Sequence, residues 1–203
     1  MNIRIVVPAV ALAVGLTIAG CSSSTPTSTG STSAAAAAPS AQAGVVFNDA
    51  DATFLTDMYP HHAQALEMAT VVDGRSTNQA VIDLATKIKG EQQPEMDTMT
   101  TLLTSFGKPT PATSTMGGMD MSAASGMAGM MTADDMTRLG TLSGVQFDKT
   151  WLTMMTSHHS GAVEMATTEL KNGSNADAKT LATNIIAAQN AEITTMKGLL
   201  AQV

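Results

Sequence analysis

The segment Phe54-Leu-Thr-Asp-Met-Tyr-Pro-His-His-Ala-Gln-Ala-Leu-Glu-Met-Ala69 returns as Trp151-Leu-Thr-Met-Met-Thr-Ser-His-His-Ser-Gly-Ala-Val-Glu-Met-Ala166. His61 and His158 stand 97 positions apart. The same offset, without a gap, carries Asp51 onto Asp148, Leu84 onto Leu181, Gln92 onto Gln189, Glu95 onto Glu192 and Met99 onto Met196. The chain is a duplication of one unit of roughly fifty residues, and such a repeat constrains the fold before any local propensity does. All 4 histidines of the protein lie in the two His-His pairs.

The N-terminus reads as a targeting segment and is set apart from the fold. Arg4 precedes the apolar run from Ile5 to Ile18, and Ile18-Ala19-Gly20-Cys21 resembles a bacterial lipobox. Residues 1–20 are then a lipoprotein signal peptide. Cys21 becomes the lipidated first residue, holding the protein to the extracytoplasmic face of the cell membrane. The alternative is an ordinary transmembrane anchor, for which the run is short against the roughly 20 residues that a bilayer needs. Residues 21–44 are Ser, Thr, Ala and Pro with little bulk, a composition that forms a tether and no core. Residues 45–203 suit one domain.

Cys21 is the only cysteine, so neither an intrachain disulfide nor a thiolate cluster can stabilise that domain. Acidic residues number 17 against 10 basic, and no basic patch with interleaved aromatics occurs, which argues against a nucleic-acid partner. The negative balance favours cations over anions as ligands.

At 100° per residue, Phe54, Leu55, Met58, His61, Ala65, Met68, Ala69 and Val72 share one helical face, with His62 at its edge. Trp151, Leu152, Met155, His158, Ala162, Met165 and Ala166 repeat it. The partner stripes are Leu84, Ile88, Glu95, Met99, Leu102 and Leu181, Ile185, Glu192, Met196, Leu199. Each contains one carboxylate. No stretch alternates with the period of a strand, so the fold class is all-α. Each unit reads as a helix hairpin, over residues 48–106 and 145–202, and two hairpins bury their stripes most simply as a four-helix bundle. Gly173 suits a left-handed C-terminal cap, and Thr132 with Asp135 a capping arrangement for a short helix around Ala133 to Leu139. Pro94, whose counterpart is Ala191, is expected to kink its helix or cost a backbone hydrogen bond, breaking the symmetry close to Glu95. Asp51 and Asp148 are expected at helix starts, where carboxylates favour the dipole.

Between the hairpins, residues 108–131 are rich in Gly, Ser, Thr and Met. Met116, Met119, Met121, Met127, Met130 and Met131 crowd there without helical periodicity, so packing does not account for them. Thioethers select Cu(I), and by the same softness Ag(I), while imidazole accepts both copper oxidation states. The bland alternative is a low-complexity linker with incidental methionine. In the helices, Met58 stands one turn before His61 and His62, and Met155 before His158 and His159. Met68 and Met165 lie a helical ridge away from His61 and His158. Glu95 and Glu192 on the core stripes require partners. They orient a ligating imidazole, ligate directly, or simply accept a hydrogen bond from a core His or from Gln92 and Gln189.

The pattern Phe/Trp-Leu-x-x-Met-x-x-His-His-x-x-Ala-x-Glu-Met-Ala, followed by Gln-x-x-Glu-x-x-x-Met, resembles the bacterial family known as domain of unknown function 305. The resemblance spans nearly the whole mature domain. It implies a ferritin-like four-helix bundle, a periplasmic copper-binding role linked to copper tolerance, and metal-site roles for Met58, His61, His62, Met155, His158 and His159. The leading expectation is a surface lipoprotein that sequesters or hands on Cu(I), and not an enzyme. Two readings compete with it. A ferritin-like di-metal oxidase would need Glu-x-x-His pairs, which the chain lacks. A bundle with no metal would use the histidines as packing.

Overall fold

The helices start where short polar side chains can catch the free backbone N–H groups of a first turn. In the computed structural model, which describes residues 44–111 and 126–203, α1 (Asp49–Thr70) is capped by Asn48, with Asp51 completing a capping box. Asn78 caps α2 (Gln79–Ser105), and its repeat counterpart Asn175 caps α5 (Ala176–Leu200). The expected Thr132–Asp135 box starts α3 (Ala133–Thr141), and α4 (Gly144–Asn172) follows. The signal segment, Cys21, nearly all of the tether, and Met116, Met119 and Met121 lie outside the described residues. No strand occurs among the described residues, and no helix there is long and apolar enough to cross a membrane.

Helix α1 packs along α2 and α4 along α5, giving the two expected hairpins, while α1 and α4 face each other across the bundle. The duplication shows in the packing itself. One apolar cluster is built from Phe54, Leu55 and Met58 of α1, Ala162 and Ala166 of α4, Met96 and Met99 of α2, and Leu181, Ala182 and Ile185 of α5. The other is built from Trp151, Leu152 and Met155, Ala65 and Ala69, Ile193 and Met196, and Leu84, Ala85 and Ile88. Each residue of the second group is the first group's residue shifted by the repeat offset. The two cores are therefore one core used twice, related by an approximate two-fold axis between α1 and α4.

Three expectations need correcting, while at Pro94 the expected loss of a backbone hydrogen bond occurs without a break in the helix. Helix α2 runs through Pro94 as one helix, and α1 likewise contains Pro60. Both rings leave a carbonyl four residues earlier without its helical donor. Those carbonyls belong to Gly90 and Thr56, which are exposed, so water can serve them. Gly173 is not left-handed: its φ is −68°. It is small because a Cβ there would collide with the Glu169 carboxyl and lie 2.7 Å from Asp51 Oδ1. Asp148 is not in a first turn either, because α4 begins at Gly144. It is buried, with Oδ1 lacking a partner. Lastly, Met131 and Met136 do pack against the second core, so part of the methionine excess is ordinary burial.

Asp51 does more than favour a helix dipole. Its carboxylate accepts from the backbone of Ser174 at 3.0 Å and of Asn175 at 2.9 Å, tying the start of α1 to the turn between α4 and α5. Burial pushes it up, but the amides of Asn175 and Asn48 and the neighbouring side chains hold it below the usual carboxylate range. Glu169, buried beside it, is pushed up to about 7, by burial first and then by Asp51. The proton of this pair therefore sits on Glu169. A carboxyl raised in the folded state stabilises fully below its ordinary pKa, and that contribution is lost as pH rises toward 7. Glu169→Gln, which mimics the protonated form, should be more stable than the parent by about 1–2 kcal/mol at pH 8 and nearly equal at pH 5. Urea denaturation at both pH values checks this; an equal difference at both would contradict it.

Candidate metal centre

The two-fold axis passes through the histidines. His61 on α1 and His158 on α4 meet with ring centroids 3.9 Å apart and planes inclined by 41°. All four histidines are fully buried. Two imidazolium ions could not approach so closely in a dry interior, and the neutral forms are favoured accordingly. Burial, then His62, lowers His61 to about 3, while burial and the three other histidines hold His158 well below the usual imidazole range.

The outer ring nitrogens are fixed by acceptors. His62 Nε2–H donates to Glu95 Oε2 at 2.8 Å, and His159 Nε2–H to Glu192 Oε2 at the same distance. Of the open alternatives for these carboxylates, the geometry fits orientation of an imidazole and plain acceptance from a core His, and not a bond from Gln92 or Gln189. His61 Nε2–H donates to the carbonyl of Ala128 at 3.1 Å. Carboxylates and carbonyls only accept, so each of these three rings carries a proton on Nε2, and in His61, which burial keeps neutral, Nδ1 keeps its lone pair. The Nδ1 atoms of all four histidines are buried without a hydrogen-bond partner among the described residues, as is Nε2 of His158. Gln92 and Gln189, also buried, have both amide atoms unpartnered. The repeat register makes these two glutamines equivalent, and the sequence offered them only as hydrogen-bond donors to the stripe carboxylates. Polar residues on two equivalent core stripes were the signal.

Buried polar groups are nearly always paired, so this cluster of orphaned atoms across the middle of the bundle is the most unusual feature of the described fold. Buried thioethers occupy equivalent positions in the two cores. Met58 and Met99 are fully buried in the first core, Met155 and Met196 in the second. Met68 is fully buried too, with its carbonyl accepting from the Trp151 indole N–H at 2.8 Å. Its counterpart Met165 is only partly buried and lines a groove of about 420 Å³ together with Ala128 and Glu164. Among the described residues no three His, Cys, Asp or Glu side chains converge as a ready ligand set. An ion held here would draw on sulfur as well as nitrogen.

The two halves differ in one charge. Lys87 donates to Glu192 Oε1 at 3.0 Å. The counterpart of Lys87 is Asn184, so Glu95 has no such cation; its side chain is 17% exposed against 3% for Glu192. Burial pushes Glu192 up, but His159 and Lys87 bring it below the usual range. Glu95 instead faces a groove of about 570 Å³ shared with Pro94, Asp97, Asp177 and Asn184. The halves thus differ near Glu95 through Lys87, while the His–Glu pairing is kept beside Pro94.

A sequence model of the family described as Domain of unknown function (DUF305) matches residues 51–200. Among solved structures, a DUF305 protein of Streptomyces coelicolor described as secreted is 35% identical, with a TM-score of 0.66 over 75% of this chain and 91% of its own. A DUF305 fragment from Deinococcus radiodurans is 31% identical, with a TM-score of 0.68 over 77% of this chain and 98% of its own. CopM in its Cu(I)-bound form is 29% identical, with a TM-score of 0.58 over 75% and 96% of the two chains. CopM has also been solved in Cu(II)-bound, Ag-bound and apo forms. No curated protein sequence matches the chain.

Unpartnered buried polar atoms destabilise a fold, and an apolar side chain of similar size removes that penalty. His158→Leu should therefore raise the stability of the metal-free protein by about 1–2 kcal/mol at neutral pH. A histidine depressed in the folded state gives stability that is present above its ordinary pKa and lost as pH falls through the window below 6.5. The variant should lose less in that window. Denaturant midpoints at pH 7 and pH 5 decide: a variant clearly less stable at pH 7 would show that His158 is a satisfied core residue.

Proposed function

This chain belongs to the DUF305 family, and we propose that it is an extracytoplasmic lipoprotein that binds soft monovalent metal ions, Cu(I) and by the same chemistry Ag(I), for sequestration or transfer in copper tolerance. The observation that carries this reading is the layer of four buried imidazoles whose Nδ1 atoms find no hydrogen-bond partner among the described residues, in a bundle with buried thioethers at equivalent positions of its two cores. Neutral imidazole and thioether together suit a soft, weakly charged ion that needs few ligands.

The surroundings fit the same task. Glu95 and Glu192, by accepting from Nε2–H, fix ring orientation and raise the basicity of the opposite nitrogen, as carboxylates behind metal-bound histidines do. Because His61 is neutral down to about 3, no proton competes with an ion over the neutral range. CopM, the relative solved with copper and with silver, supports the identity of the ions. A secreted relative and the lipobox-like Ile18-Ala19-Gly20-Cys21 support a location outside the cytoplasm, with Cys21 as the membrane anchor. Two features support binding over a di-metal oxidase: Glu95 and Glu192 are each occupied with an imidazole, and the sequence has no Glu-x-x-His pair for an oxygen-rich site.

The test uses the full chain in a Cys21→Ser background, which removes the only thiol. Competition for Cu(I) against a chromophoric chelator should show a tight component. Replacing His61, His62, His158 and His159 together by Ala should abolish it, and His61→Leu with His158→Leu should weaken it by about a hundredfold while keeping the helical signal. Unchanged affinity and stoichiometry in the double Leu variant would make the histidines packing residues.

A further inference from the structure

The repeat departs from its own symmetry where the chain crosses the histidines. Gln64 and Gly161 occupy equivalent positions, three residues after His61 and His158. Both serve the same neighbour, the segment Gly126–Met131 at the end of the methionine-rich linker. The Gln64 amide donates to the Met131 carbonyl at 2.8 Å, and its oxygen accepts from the Met131 N–H at 2.7 Å. Opposite, Gly161 has no side chain because a Cβ there would collide with the Ala128 carbonyl, which is the acceptor for His61 Nε2–H. Gly129, with φ +80°, completes the interlock: a Cβ on it would stand 2.6 Å from the Ser157 carbonyl and 2.9 Å from that of His158. One copy supplies a clamp and the other the space.

We propose that Gly126–Met131 is a docked strap belonging to the metal centre: the Ala128 carbonyl orients His61 as Glu95 and Glu192 orient His62 and His159, and Met127 and Met130 are brought beside the His61–His158 pair, so that linker and bundle hold one ion together. This rests on the metal-binding reading above and adds to it a third wall and a positioning group. Three of the four histidines have an acceptor on Nε2, and for His61 only the strap provides it. Met127 and Met130 are both partly buried, and Met127 directly precedes the carbonyl that contacts His61.

Gly161→Ala tests the docking without harming α4, since alanine is the better helix former. In the full chain carrying Cys21→Ser, the Met131 amide should lose its protection against hydrogen exchange, and Cu(I) affinity should fall about tenfold or more, as when a partner behind a ligating histidine is removed. Met127→Leu with Met130→Leu should keep the Met131 protection and still weaken Cu(I) binding. The proposal is overturned if Gly161→Ala leaves the protection intact, or sheds it with full affinity kept, and equally if the double Leu variant binds as the parent does. Failure of the metal reading itself looks different: the parent would take up no Cu(I), while the Met131 protection would still report the docked strap.

Discussion

The candidate metal centre is organised by the contact of two neutral imidazoles at the two-fold axis. His61 and His158 can lie 3.9 Å apart only because neither carries a proton's charge, and neither does so because both are sealed from water. The seal comes from the two image cores, one on each side of the layer. Burial makes the rings neutral, neutrality allows their approach, and the approach leaves nitrogen lone pairs directed into a dry interior.

Such a layer is a poor way to stabilise a bundle. Orphaned buried nitrogens and amides cost free energy that apolar residues would not. The fold offsets it with contacts made away from the axis. The two cores bury Trp151, Phe147, Leu55 and Ile88 completely, and the Asp51 carboxylate binds the α4–α5 turn from the opposite hairpin. Stability and chemistry are thus separated along the helices: aliphatic and aromatic packing toward the ends, nitrogen and sulfur in the middle. The carboxylates sit at the boundary, where Glu192 is held by Lys87 and Glu95 opens on a groove. A symmetric scaffold has acquired two unlike sides through single differences between its copies, Lys87 against Asn184 and Gln64 against Gly161.

Much of this was legible in the chain. The repeat fixed the equivalence of the hairpins, and the 3.6-residue period placed His61, His158, Met58 and Met155 on buried faces. The stripe carboxylates announced that they needed partners. What was not legible depends on packing between segments far apart in sequence. Gly173 looks like a helix cap until the Glu169 carboxyl is placed against it. Gly161 looks like a weak point in a helix until a carbonyl from 33 residues earlier needs its space. Asp148 looks like its twin Asp51, but α4 starts earlier than the repeat implies, and the residue ends up inside. Met131 reads as a linker residue because its periodicity is lost, although tertiary contacts partly bury it.

The central claim is that the buried imidazoles keep Nδ1 free for an ion. Nitrogen-15 NMR of histidine-labelled protein reads this directly, because the shifts of the two ring nitrogens report which one is protonated. In the metal-free protein at neutral pH His61 should be neutral with its proton on Nε2, His62 and His159 should each carry a proton on Nε2, and adding Cu(I) should move the Nδ1 resonances while the Nε2 protons remain. Protonated Nδ1 atoms in the metal-free protein, or Nδ1 resonances indifferent to Cu(I), would contradict it.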